Sequence, residues 1–177
     1  NWKKLFKEDG VRWLHTGGIF AALRITGQSL REQRVLFIGA GAACIGVARL
    51  TKTAMRQAGA GDDEVHRAIA AFDSHGLLHE GNEIQEPFKR EFAMSKDNLD
   101  YYRVDASTNP TPVEMIRAFQ PKILVGATAQ ANAFTREMLE EMARHVERPV
   151  ILPLSNPTSK SECTPKDVLE WTGGRAI

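Results

Sequence analysis

Cysteine is scarce in this sequence, since its 177 residues contain only Cys44 and Cys163. Two thiols are too few for the disulfide framework of a small secreted protein. Charge of one sign is also lacking, because 23 lysines and arginines against 22 aspartates and glutamates leave a net charge of +1. This balance provides no electrostatic footprint for nucleic acid or an anionic membrane, and we expect neither as a partner.

Long apolar runs are missing as well. No run in the sequence approaches the roughly 18 residues that a membrane-spanning helix needs, so we expect a cytoplasmic protein. The remaining composition is ordinary, with 42% hydrophobic and 25% charged residues, which excludes collagen-like, coiled-coil and disordered classes. A chain of 177 residues is long enough to build one hydrophobic core.

Strand and helix patterns alternate along the chain. We predict strands, in part from apolar runs typical of strands buried on both faces of a sheet, at 34–39, 68–73, 122–127 and 149–154, with a weak third strand at 103–105. We predict helices at 18–25, 42–58, 62–67, 111–119 and 135–146, and from Thr164 to Trp171. This alternation predicts an α/β fold with a doubly wound parallel sheet.

The sharpest local motif is GAGAACIG at 39–46, placed between a predicted strand and a long helix. Gly39 permits a tight turn, and Gly41 lets a pyrophosphate approach the backbone. The helix that follows offers free N–H groups and the positive end of its dipole. Cys44 stands where a third glycine is usual; a thiol at a helix start can have a lowered pKa, but we interpret it as buried and inert.

Asp73 ends the second predicted strand, where a carboxylate can accept hydrogen bonds from the adenosine ribose. The interval from Gly39 exceeds the roughly 20 residues usual in such motifs, because a long helix and an insertion lie between. The alternative is that Asp73 only caps a turn before Gly76.

A second polar loop, SNPTSKSECTP, follows the strand at 149–154. Ligands of open α/β sheets bind beyond the carboxyl ends of the strands, so Ser155, Asn156 and Thr158 are placed to face a cofactor. Taken alone, an Asn-Pro turn is equally a structural feature.

At this point the chain resembles the NAD-binding domain of malic enzymes and of their malolactic relatives. The matching pieces include GGIFAALRITG, LFIGAGAACIGVA, FDSHGLL, QEPF, QPKILVGAT and the segment 134–177. The resemblance implies a Rossmann-type NAD(P)-binding domain over 17–177, after a lead-in at 1–16. Because family members continue beyond the match, we expect the domain to be incomplete at its C-terminal end.

The resemblance also implies an activity. Malic enzymes transfer a hydride from malate to NAD or NADP and decarboxylate the product to pyruvate and CO₂ with a divalent metal, Mg or Mn. It therefore implies malate or a related 2-hydroxy acid as substrate and a homo-oligomer as assembly. The implied cofactor-binding residues are Gly39, Ala40, Gly41, Ala42 and Ala43 at the pyrophosphate, Asp73 at the adenosine ribose, Ala127 and Thr128 in the groove, and Asn156 beside the nicotinamide ribose and the substrate.

Two departures bear on specificity and catalysis. NADP-dependent members carry a lysine where this chain has Gln85, so we expect NAD to be preferred, all the more because Asp73 repels a 2′-phosphate. The family's catalytic tyrosine and lysine belong to an upstream domain, and Asp9 is a poor match to a metal ligand. We therefore assign no catalytic residue and no metal ligand here, and expect the chain alone to bind NAD without turning over malate.

Three other interpretations stay open. A malolactic enzyme shares these motifs and uses bound NAD. A non-catalytic NAD-binding module would need the same cleft and none of the catalytic groups. Another Rossmann dehydrogenase explains the glycines but not the SNPTSKSECTP segment.

Overall fold

The computed structural model describes the backbone of residues 10–177 and the side chains of residues 16–177. None of the helices in that part is both long and apolar enough to span a membrane. The helices are α1 (Gly10–Thr26), α2 (Ala42–Gln57), α3 (Asp62–Arg67), α4 (Pro87–Arg90), α5 (Lys96–Tyr102), α6 (Pro112–Phe119), α7 (Arg136–His145) and α8 (Pro165–Trp171). The strands are β1 (Val35–Ile38), β2 (Ile69–Asp73), β3 (Gly76–Leu77), β4 (Ile123–Gly126) and β5 (Val150–Pro153).

The strands form one sheet in the order β3-β2-β1-β4-β5. The central strand β1 pairs in parallel with β2 and β4, so that Val35 lies between Ile69 and Ile123. Strand β5 extends the parallel pairing beyond β4, and the short β3 pairs antiparallel with β2 at the opposite edge. The carboxyl ends of β1, β2, β4 and β5 therefore lie at one edge of the sheet, which is where open α/β sheets bind ligands.

Helices cover both faces of this sheet. Successive side chains of a strand point to opposite faces. Val35 and Phe37 of β1 belong to a core built with α1 and α2, whereas Leu36 and Ile38 belong to a core built with α6 and α7. This arrangement confirms the predicted α/β fold with a doubly wound sheet, to which β3 adds an antiparallel edge.

The starts of α6 and α8 follow capping chemistry that is visible in the sequence. Thr111 Oγ1 accepts a hydrogen bond from Glu114 N at 3.3 Å, and Glu114 Oε2 accepts one from Thr111 N at 2.8 Å. Thr164 and Asp167 make the same reciprocal pair at the start of α8. These capping boxes satisfy backbone donors that a helix start leaves without an intrahelical partner, and they confirm both predicted helices.

The third strand predicted at 103–105 is wrong. Arg103 has a left-handed backbone (φ 56°) and ends α5, and its N–H donates to Asp100 O at 3.1 Å. The aromatic ring of Tyr102 packs edge-on against Phe119 at 5.0 Å, which anchors the end of α5 on the α6 side of the sheet. The segment is a connection because its pairing position beside β2 is taken by β3, through Leu77 opposite Phe72.

Candidate functional site

A cleft of about 500 Å³ lies at the carboxyl ends of β1, β2 and β4. Six of the predicted cofactor-binding residues line it, namely Gly39, Ala40, Gly41, Asp73, Ala127 and Thr128. Ala42 and Ala43 form the first turn of α2 directly behind Gly41 and are exposed. The fold thus brings together three chain segments that are remote in sequence.

The turn after β1 requires glycine at its first position. Gly39 has φ +93°, and a Cβ there would lie 2.9 Å from Thr128 Cγ2 and 3.0 Å from the carbonyl oxygen of Ala127. The N–H groups of Gly39 and Ala40 both donate to Phe72 O at 2.9 Å. These bonds attach the turn to the end of β2, and they fix the position of the glycine segment relative to Asp73.

Gly41 differs from Gly39 because none of the described residues occupies the space that its side chain would enter. A Cβ at Gly41 would meet no atom within 4 Å. Gly41 is the N-cap of α2, and no side chain from the described residues caps this helix. A glycine that packing does not require, at the uncapped start of a 16-residue helix, leaves room for an anionic group against free N–H donors.

Asp73 lies at the rim of the cleft with a side chain that is 12% exposed. Its Oδ1 accepts a hydrogen bond from His75 N at 2.8 Å, so Asp73 does cap the turn before Gly76, as the alternative interpretation of the sequence expected. Its Oδ2 accepts one from Lys89 Nζ at 2.9 Å. Burial raises the pKa of Asp73, but the hydrogen bonds from Lys89 and His75 outweigh burial and hold that pKa below its ordinary value.

A buried carboxylate that we did not identify from the sequence ties two loops of the site together. Glu162 is fully buried. Its Oε1 accepts hydrogen bonds from Thr128 N and Thr128 Oγ1, each at 2.7 Å, and from Ser155 Oγ at 2.5 Å. Burial raises the pKa of Glu162, but the hydrogen bonds from Ser155 and Thr128 outweigh it, so the pKa is lowered and the group is an anion.

The Thr128 hydroxyl is therefore engaged with Glu162, although Thr128 lines the cleft. Ser155 Oγ also accepts a hydrogen bond from Ala129 N at 2.8 Å. Through these contacts the loop after β4 and the loop after β5 form one unit. Asn156, the next residue of the second loop, is exposed and lies outside the lining of the cleft.

Gln85 lies beside the cleft and not in it. It lines a neighbouring hollow of about 310 Å³ that shares Asp73 and Glu86 with the cleft. A separate polar hollow of about 540 Å³, between α3 and α5, is lined by groups of both charges that include Asp63, Arg67 and Arg90. None of the predicted cofactor-binding residues lines this hollow between α3 and α5.

Cys44 is buried in the first turn of α2. Burial, and then the negative charge of Glu162, raise the pKa of its thiol to about 12. Burial therefore outweighs the helix start, and the prediction that Cys44 is buried is confirmed.

Metal-ligating side chains do not cluster in the described part of the chain. Within it, no group of three or more His, Cys, Asp or Glu residues is arranged to hold a metal ion. Asp9 lies outside the described residues.

Lys89, Glu86 and Glu162 are the residues of this region that sequence reasoning missed. The spacing of Glu86 and Lys89 is that of an i, i+3 pair on a helical turn, which is a signal for a local ion pair. No local pattern connects Lys89 with Asp73, or Glu162 with Thr128, because these partners meet only through the sheet.

Comparison with known proteins shows which family the chain resembles. Residues 9–177 match the family model described as "Malic enzyme, NAD binding domain". The NAD-dependent malic enzyme of Sodalis glossinidius is 36% identical over 174 residues, which cover 97% of this chain and 31% of that enzyme. NAD-dependent malic enzyme 3 of Bacillus subtilis is 35% identical over 175 residues, with the same coverage of both chains.

Solved structures share the fold. The malic enzyme of Entamoeba histolytica superposes with a TM-score of 0.67 at 22% identity, over 92% of this chain and 30% of that chain. The NAD-dependent malic enzyme of Thermotoga maritima gives a TM-score of 0.62 at 19% identity, over 95% of this chain and 38% of that chain. The chain thus spans about a third of the length of these proteins.

Proposed function

Since this chain belongs to the family of malic enzyme NAD-binding domains, we propose that it binds NAD in the cleft at the ends of β1, β2 and β4. The observation that carries the proposal is the meeting of three features in one cleft. These are the Gly39 turn, the open and uncapped start of α2 at Gly41, and the anionic Asp73. The first two suit the pyrophosphate of a dinucleotide, and Asp73 suits its adenosine ribose.

The pyrophosphate is placed at the start of α2. Gly41 leaves space for it, and the backbone N–H groups of Ala42 and Ala43 are donors that a helix start leaves without an intrahelical partner. The helix dipole adds a favourable field for the two negative charges. Gly39 and Ala40 shape the turn that aims these donors into the cleft.

The adenosine ribose is placed against Asp73. Each carboxylate oxygen has a second lone pair beyond the one that His75 or Lys89 uses, so both ribose hydroxyls can donate to it. A 2′-phosphate in that position would meet the anionic Asp73, and the neighbouring Gln85 offers it no positive charge. These contacts support NAD over NADP.

The nicotinamide half is placed along the loops after β4 and β5. Ala127 and Thr128 line the groove, and Glu162 holds Thr128 and Ser155 in place beside Asn156. We assign to Asn156 the position next to the nicotinamide ribose and the substrate, where its amide would orient the ligand.

We further infer that the complete enzyme oxidises malate, or a related 2-hydroxy acid, and releases pyruvate and CO₂. Bound NAD supplies the hydride acceptor. Support for malate comes from the relatives, which are named NAD-dependent malic enzymes. A divalent Mg or Mn ion and a homo-oligomeric assembly belong to the same proposal, and we assign no metal ligand within residues 16–177.

The test is an equilibrium titration with NAD of the complete natural polypeptide that carries these 177 residues. We expect a dissociation constant below about 1 mM. Asp73→Asn should weaken NAD binding about 10-fold, because a hydrogen bond to a charged group contributes roughly 1.5–3 kcal/mol and one to a neutral group roughly 0.5–1.5 kcal/mol. Asp63→Asn, on α3 outside the cleft, is the matched control and should bind like the wild type. Absence of binding at 1 mM of the dinucleotide, or an unchanged affinity in Asp73→Asn, would refute the site.

A further inference from the structure

Lys89 holds an unusual position for a lysine, because its ammonium lies in the cleft between two carboxylates. The Nζ atom is 2.9 Å from Asp73 Oδ2 and 3.0 Å from Glu86 Oε1. The Lys89 side chain is only 10% exposed, whereas that of Glu86 is 48% exposed. All three residues line the cleft.

The Lys89 side chain is held in its protonated, positively charged form. Burial lowers the pKa of Lys89, but hydrogen bonds with Asp73 and Glu86 outweigh burial and raise it. The only other titratable group of the described residues that lies against the cluster is His75, whose Nδ1 is 3.6 Å from Asp73 Oδ1 and whose side chain is 88% exposed. The two carboxylates and one ammonium of Asp73, Glu86 and Lys89 together carry one net negative charge.

The ammonium also retains donor capacity toward a ligand. A lysine has three N–H donors, and within the described residues two of them point to Asp73 and Glu86. The third N–H has no acceptor among the described residues, which leaves it free to donate to a ligand beside the Asp73 carboxylate. NADP differs from NAD by a phosphate on the 2′ oxygen of the adenosine ribose.

We propose that Lys89 is a specificity-determining residue for the dinucleotide, and that Glu86 sets how much positive charge it presents at the ribose 2′ position. The inference rests on the proposed function, since it assumes that the adenosine ribose lies against Asp73. With Glu86 and Asp73 both ionised, the lysine is neutralised and the cluster disfavours a 2′-phosphate. If Glu86 loses its charge, the same lysine becomes a partner for that phosphate.

The test compares dissociation constants of NAD and NADP in the complete natural polypeptide. Selectivity is the ratio of the NADP constant to the NAD constant, which a general loss of folding does not change. Glu86→Gln should lower this ratio about 3- to 10-fold, because it removes one half-exposed negative charge. Lys89→Met should raise the ratio by a similar factor, about 3- to 10-fold, because two carboxylates then face the phosphate alone.

Matched controls separate local charge from general effects. Glu140→Gln removes an ion pair with Arg136 on the outer side of α7, at a comparable exposure of 38%, and should not change the ratio. Lys52→Met removes another buried lysine, whose Nζ donates to Glu91 O, and should leave the ratio unchanged as well. Lys89→Arg keeps the charge and should restore a ratio close to that of the wild type.

The outcomes are distinct. If the wild type binds NAD and Lys89→Met leaves the ratio unchanged or lowers it, the proposed function stands and the role of Lys89 is overturned. A ratio that responds to Glu86→Gln but not to Lys89→Met also overturns it, because Glu86 would then act directly. A wild-type protein that binds neither dinucleotide overturns the proposed function itself. Should Lys89→Met fail to fold, Lys89→Gln takes its place as the neutral variant, with the same expected rise in the ratio.

Discussion

The carboxylate of Glu162 binds the backbone N–H of Thr128 at 2.7 Å, and this contact joins two loops that lie 34 residues apart in sequence. The same carboxylate also binds Ser155 at the start of the loop after β5, to which Glu162 itself belongs. Because Glu162 is fully buried, no water replaces these bonds when one partner is changed. The nicotinamide side of the cleft is therefore built around one buried anion.

We predict that Glu162→Gln lowers the free energy of unfolding by about 1–3 kcal/mol, the cost of leaving a buried donor without its acceptor. Urea denaturation measures this change. Glu140→Gln, with an exposed carboxylate on α7, is the control and should lose less than about 0.5 kcal/mol. Equal stability of Glu162→Gln and the wild type would show that the buried anion does not hold the loops together.

Gly41→Asp should separate folding from binding. An aspartate at the N-cap of α2 provides the side-chain cap that this helix lacks, and the position has room for it, so stability should be maintained or increased by up to about 1 kcal/mol. The carboxylate would occupy the pyrophosphate position and repel it, so NAD affinity should fall at least about 10-fold.

Gly41→Asn is the matched neutral variant and should weaken NAD binding less than Gly41→Asp does. Thermal unfolding and NAD titration of both variants provide the two readouts. Tight NAD binding by Gly41→Asp would place the pyrophosphate elsewhere.

The helix pair α6 and α7 should lose stability in acid. Glu141 of α7 has a side chain that is 4% exposed and contacts Arg117 of α6 at 3.2 Å, and these contacts with Arg117 and His145 lower its pKa from 4.5 to about 2. A carboxylate with a depressed pKa stabilises the fold above pH 4.5, and this contribution disappears as pH falls from 4.5 towards 2.

Since the side chain of Arg117 is 55% exposed, we expect the contribution to be on the order of 1 kcal/mol. Urea denaturation at pH 7 and pH 3 measures it. Glu141→Gln should lose this part of the pH dependence, and Glu140→Gln should retain it. The same pH dependence in Glu141→Gln and the wild type would contradict the assignment.

Neither cysteine should react in the native protein. Burial, followed by nearby carboxylates, raises the pKa of Cys44 and of Cys163 to about 12, so the thiolate is almost absent at pH 8. Labelling with a maleimide or an aromatic disulfide at pH 8 should proceed only after unfolding. Rapid native labelling of Cys44 would mean that the start of α2 opens in solution.

Features governed by local chemistry were predictable from the sequence. The start of α6 follows from the Thr111 cap and Pro112 at the first helical position, because both act within one turn. The Gly39 turn was recognisable because a buried strand before it and a long helix after it leave few alternatives.

Features that depend on distant partners were not predictable. The weak strand pattern at 103–105 failed because Leu77 already pairs with Phe72 at that edge of the sheet, which no local pattern shows. Lys89 escaped notice because its main partner, Asp73, lies on another element, and the two meet only when α4 packs beside the end of β2. Ion pairs of this kind are decided by tertiary structure.

The structure of the complete protein with bound NAD tests the central claim most directly. The account predicts the pyrophosphate at the start of α2, within about 2.7–3.2 Å of the backbone N–H groups next to Gly41, and the adenosine ribose hydroxyls at the same distance from Asp73. Dinucleotide found in the polar hollow between α3 and α5, or elsewhere with both Gly41 and Asp73 free of it, would contradict the account.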